Sequence, residues 1–127
     1  MVLRVTQTAL VEAVFQNHVS AEEIREWLAH IGCLIERQQP FFFISSTQAN
    51  TTFDGDYRNI QAFWYREHKP DFQIYCRGLV RIASNDAEQA RLDVPALHRS
   101  WGIPYFVTQE KQQGYCWIAE RLMDVTR

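Results

Sequence analysis

The chain has 127 residues, with 13 Lys+Arg against 15 Asp+Glu and a formal net charge of −2. That length makes 1–127 a single domain, able to bury about two thirds of its unfolded surface without a metal or disulfide staple. A composition 46% hydrophobic and 22% charged excludes a disordered tail, and the near-neutral balance speaks against a dedicated nucleic-acid binder.

Leu10–Phe15 is apolar and rich in Val and Phe, and reads as a strand. Val2–Thr6 offers it a hairpin partner, which would give the sheet an antiparallel N-terminal edge. Ser20-Ala21-Glu22-Glu23 then forms a capping box: the Ser20 side chain caps the amide three residues on, and Glu23 reaches back to the Ser20 amide. From there Ile24, Trp27, Leu28, Ile31, Leu34 and Ile35 fall on one core-facing stripe of a helix stopped by Pro40. Pro40–Ser46 is a short aromatic run and reads as a buried central strand. A polar loop over Thr47–Thr52 follows.

Asp54-Gly55-Asp56 starts the second helix, its acids complementing the positive helix end. Tyr57, Ile60 and Trp64 give its stripe, and Lys69-Pro70 is expected to end it. Ile74–Ala83 reads as a third strand, in which Gly78 marks a bulge or a close backbone approach. Asn85 or Asp86 caps a third helix. Pro95 breaks that helix or restarts it with Asp93 as a new cap. Ile103–Thr108 is a fourth strand. A last helix runs from Glu110 to Met123, with Tyr115, Ile118, Ala119 and Leu122 inward and Trp117 outside that stripe.

The order is β-α-β-α-β-α-β-α. Strands separated by helices of this length join through right-handed crossovers, so the expected class is α/β with a mostly parallel sheet.

Four landmarks carry a family resemblance. Leu10–Phe15 leads into Val19-Ser20-Ala21-Glu22; Pro40-Phe41-Phe42-Phe43-Ile44 forms the centre; Cys76-Arg77-Gly78-Leu79-Val80 forms a third core strand; Ile103-Pro104-Tyr105-Phe106-Val107-Thr108 precedes a helix containing Trp117-Ile118. Over about residues 8 to 122 the chain resembles the STAS family, named for sulfate transporters and anti-sigma-factor antagonists, and within it the small stand-alone bacterial members. The resemblance implies a regulatory protein–protein module in a bacterial cytoplasm, not an enzyme, whose partner is another protein such as a kinase or signalling component. It also implies phosphorylation of a Ser or Thr in an Asp-Ser-Ser-Gly-like segment after the central strand. Here that segment reads Ile44-Ser45-Ser46-Thr47-Gln48-Ala49-Asn50-Thr51-Thr52, with the hydroxyls but without the Asp and Gly. The candidate positions are therefore Ser45, Ser46, Thr47, Thr51 and Thr52.

The residues themselves allow two readings of that loop. A phosphate at Thr51 or Thr52 would lie near a helix N-terminus. Alternatively, the hydroxyls bond local backbone as an ordinary polar turn. For partner docking the anchors are Phe53, Tyr57 and Tyr65, with Arg58 tuning charge, and the same surface would serve a homodimer. Phe63, Trp64 and Tyr65 are consecutive on a helix and cannot all enter one core. Arg58, Arg66, Arg77, Arg81, Arg91 and Arg99 cluster mid-chain, and Arg suits bidentate contacts to carboxylate or phosphate.

A second function class competes: a small-ligand sensor or enzyme. Parallel sheets bind ligands beyond the carboxyl ends of their strands. Those ends carry Ser45, Ser46, Ser84, Asn85 and Thr108, which could hold a nucleotide or lipid headgroup.

No cofactor motif is present: there is no P-loop, dinucleotide fingerprint or nucleophile elbow. His18, His30, His68 and His98 show no metal-ligand spacing, so no metal is expected. Cys33, Cys76 and Cys116 lie far apart without a CxxC pair, as suits a reducing cytoplasm. Cys33 falls on the outer face of its helix, and Cys76 and Cys116 read as packing residues. No stretch is long and apolar enough for membrane insertion.

Overall fold

The structure, a computed structural model, describes Leu3, Val5 and residues 7–125. The hairpin partner expected over 2–6 rests on Val2, Arg4 and Thr6, which lie outside the described residues.

Four strands build the main sheet: β1 (Ala9–Phe15), β3 (Phe41–Thr47), β5 (Cys76–Ile82) and β6 (Tyr105–Thr108). They lie in the order β1-β3-β5-β6 and every neighbouring pair is parallel. The class is α/β, as the alternating pattern predicts. Two two-residue strands, β2 (His18–Val19) and β4 (Thr52–Phe53), pair separately in parallel. Segments this short carry no periodicity, and the sequence reading places Thr52 in a loop.

Among the described residues there are five helices: α1 (Ala21–Glu36), α2 (Tyr57–Tyr75), α3 (Asp86–Leu92), α4 (Pro95–Trp101) and α5 (Lys111–Val125). The main strands succeed one another in chain order across the sheet. Right-handed crossovers then put every connecting helix on the same face. Strand alternation assigns the residues. Phe41, Phe43, Leu79, Ala83, Tyr105 and Val107 pack under α1–α4 together with Ile31, Ile35 and Phe72. On the opposite face Phe42, Ile44 and Val80 meet Ile118, with Trp117 and Phe106 beside them. Each fully buried Ile, Leu or Phe in these layers contributes about 1.5–3 kcal/mol.

The capping box at Ser20 forms with both of its bonds, Glu23 N to Ser20 Oγ and Ser20 N to Glu23 Oε1, each 3.1 Å. The α1 stripe buries Ile24, Leu28, Ile31 and Ile35 as its spacing predicts. Gln38, with φ 56°, closes the helix by letting its amide reach Ile35 O and that of Gln39 reach Leu34 O.

Several expectations are corrected. Pro70 does not end α2, which continues to Tyr75. Phe72, buried against Phe41, Trp64, Tyr65 and Trp101, holds the last turns to the core, and this packing outweighs the missing proline N–H. The third strand accordingly begins at Cys76. Asp54 does not cap its own helix; it accepts the Ala21 amide at 2.7 Å, at the start of α1. The helix after β5 is two helices, and Val94, not Asp93, precedes Pro95 as the cap of α4.

In α5 the inward residues are Gly114, Trp117 and Ile118, while Ala119 is exposed and Tyr115 and Leu122 are more than a third exposed. Trp117 stacks on Phe106, with centroids 5.6 Å apart and planes 7° apart. The closeness depends on Gly78, where an added Cβ would lie 2.9 Å from Trp117 and 3.0 Å from Phe42. The register also shifts at this point, between Phe41 and Phe42, so the bulge and the close approach occur together. Cys116 is exposed and not a packing residue; Cys76 is buried and Cys33 exposed.

Candidate functional site

A cavity of about 460 Å³ lies between the sheet and the α1–α4 layer. Its floor is Phe43, Phe72 and Leu79. The carboxyl ends of three adjacent strands reach it: β1 through Phe15, β3 through Ser45 and Thr47, and β5 through Arg81. Ser45 and Arg81 are direct cross-strand partners, so their side chains leave the sheet on the same face. Helix α2 supplies Tyr57, Arg58, Gln61, Trp64 and Tyr65, and α3 supplies Glu88, Arg91 and Leu92.

The polar groups are unevenly charged. Three guanidiniums, Arg58, Arg81 and Arg91, face one carboxylate, Glu88. Glu88 is already engaged: it accepts from Ser84 N at 3.2 Å and lies 3.7 Å from Arg91. Arg58 lies over the Tyr57 ring, and its Nε donates to Tyr57 Oη at 2.9 Å. That bond raises the Arg58 pKa further. Arg81 is half-buried and has no hydrogen bond or ion pair among the described residues. Its charge is felt by Tyr105, whose hydroxyl pKa is raised by burial and drawn back by Arg81. Burial also raises Tyr65, which donates to Trp101 O at 3.2 Å.

Aromatic side chains form most of the wall. Phe53 and Tyr57 stack at 4.4 Å and 22°. Trp27 packs edge-on to Phe15 at 5.2 Å and tilted against Phe43 at 5.6 Å. Its indole N–H is the one buried side-chain polar group among the described residues without a hydrogen-bond partner. Leaving such a donor unpaired costs about 1–3 kcal/mol.

The four proposed docking residues, Phe53, Tyr57, Arg58 and Tyr65, all line this cavity. The hydroxyl candidates separate. Ser45 and Thr47 line it, Ser45 being only 4% exposed and so out of reach of a kinase in the folded chain. Ser46 alternates to the α5 side. Thr51 donates to Gln48 O at 2.6 Å and Phe15 O at 3.2 Å, as a local turn does. Thr52 lies 2.9 Å from His18 Nδ1. Of the strand-end polar set, only Ser45 reaches the cavity. Ser84 and Asn85 bond Glu88 at the start of α3, and Thr108 accepts the Glu110 amide at 3.2 Å. Arg81, Arg91, Gln61 and Glu88 are the polar lining residues that the strand-end reading misses. Arg81 carried a signal: it shares a strand face with Leu79 and Ala83, where an apolar residue is the norm.

A second, more open depression lies between α1 and α2, beside Arg25, Leu28, Ile60 and Phe63. Phe63 is 63% exposed. Among the described residues no group of three His, Cys, Asp or Glu could hold a metal ion, and no helix is long and apolar enough to cross a membrane. Comparison with protein-family models, curated proteins and solved structures gives no match.

Proposed function

We propose that the chain is a small-ligand-binding module whose site is the cavity at the carboxyl ends of β1, β3 and β5. One observation carries this reading: an aromatic-walled space of about 460 Å³ with convergent polar groups, at the place where parallel sheets bind ligands. Binding pockets usually span about 300–1,000 Å³. The reading is of a sensor more than an enzyme. No histidine or cysteine stands among the cavity residues, and their single carboxylate is tied to Ser84, so no free general base faces the space.

The test is fluorescence titration with N-phenyl-1-naphthylamine, a neutral aromatic probe. Saturable one-to-one binding is expected, with loss of at least about tenfold in affinity in Gln61→Trp, which fills the cavity from α2. Binding that is non-saturable, or unaffected by Gln61→Trp in a folded variant, refutes the proposal.

A second reading follows the STAS resemblance: a non-enzymatic regulatory or scaffold module that docks another protein. The depression between α1 and α2 favours it, since a Phe so exposed beside an apolar groove is what an interface uses. A specific partner retained by the wild type and lost in Phe63→Ala would support docking; a partner bound equally by both would count against this surface.

A further inference from the structure

We infer that the occupant of the cavity is a flat aromatic or conjugated molecule carrying one acidic group, a carboxylate or a phosphate, with its acid at Arg81 and Arg58 and its ring among the aromatic walls. The inference rests on reading the cavity as a ligand site.

The wall composition selects the body of the ligand. Nine aromatic side chains line the space against four aliphatic ones, Leu28, Ile31, Leu79 and Leu92. Aromatic faces and edges reward a planar ring in offset or edge-on packing, at about 0.5–1.5 kcal/mol per pair beyond area burial. An extended alkyl chain gains no such term.

Charge selects the other end. Three guanidiniums to one occupied carboxylate leave the site cationic. Arg81 matters most, because it is half-buried at the end of a central strand and unpaired among the described residues. A partly desolvated cation without a counter-charge is unfavourable, and a bound anion relieves it. A guanidinium fork also matches the two oxygens of a carboxylate or phosphate.

Paired probes test this. 8-Anilinonaphthalene-1-sulfonate shares the anilinonaphthalene body of N-phenyl-1-naphthylamine and adds one anionic group. The wild type is expected to bind the sulfonate about tenfold tighter than the neutral probe. Arg81→Gln is expected to remove that advantage, the ratio of the two affinities falling to about one. If Arg81→Gln loses its cooperative melt, the exposed Arg58→Gln takes its place and is expected to reduce the advantage severalfold.

Equal affinities in the wild type, or an advantage that survives in both folded variants, overturn the anion assignment while the ligand site stands. Absence of one-to-one binding by either probe removes the ligand site itself. Displacement of the bound sulfonate by 1-naphthoate or 1-naphthyl phosphate supports the class, and the stronger competitor identifies the acid. Displacement by neither, or more readily by decanoate, overturns it.

Discussion

Arg81 occupies a strand position whose neighbours on the same face, Leu79 and Ala83, are buried apolar residues. Cys76 shows how firmly that layer excludes water: burial pushes its thiol up to about 12. The other two cysteines, Cys33 and Cys116, are exposed. Native protein at pH 8 should therefore react with a thiol reagent at two positions, and the third should react only after unfolding. Peptide mapping that finds Cys76 modified as fast as Cys33 would contradict the packing described here. The misplacement of Cys116 has a physical source. Helical spacing gives the angle between residues but not the absolute rotation of the helix, and α5 turns Gly114, Trp117 and Ile118 to the sheet instead of Tyr115.

Among the elements, those with local signals were legible. The capping box fixes the start of α1 and its stripe fixes the buried face, because both depend on residues three and four apart. The end of α2 was not legible, since Phe72 anchors it through contacts with β3 and α4 that no local window contains. The β2–β4 pair was likewise hidden, and Asp54 is the residue that secures it. The Asp54 carboxylate accepts the Ala21 amide at 2.7 Å and lies 2.8 Å from His18 Nε2. The Ala21 bond first, then His18, holds its pKa below the usual carboxylate range. A depressed carboxylate contributes stability above its unfolded value, and that contribution is lost as pH falls through the folded-state value. Melting temperature is therefore expected to decline between about pH 5 and pH 2, and Asp54→Asn should lower it at pH 7 and flatten that decline. Parallel pH profiles for the two proteins would disprove this account of the β2–α1 junction.

For the molecule as a whole, the alternation and the parallel sheet were legible, and the order of the strands across the sheet is what the structure adds. Four parallel strands taken in sequence put α1–α4 on one face and α5, alone among the described elements, on the other. The arrangement concentrates the helices, and the cavity among them, on a single side. It also leaves the outer face of β1 only partly covered: Leu10 and Val14 remain 51% and 39% exposed. Tyr115 reaches Glu12 there through its hydroxyl, which raises the Tyr115 pKa. The cavity itself could not be read in advance, because it arises where three strand ends and four helices converge and no stretch of sequence contains all of them.

The walls of that space differ in firmness. Two of its floor residues, Phe43 and Leu79, belong to strands buried on both faces, whereas α3 and α4 are seven residues each and bury no residue fully. Short helices with so little apolar anchorage open before the rest of the chain unfolds. Backbone amides of 86–101 should exchange with deuterium faster than those of 41–47 and 76–82, and slow when the sulfonate probe is bound. If the cavity holds a ligand as proposed, the α3–α4 segment would be its door, and the lifetime of the complex would be set by how often that door swings.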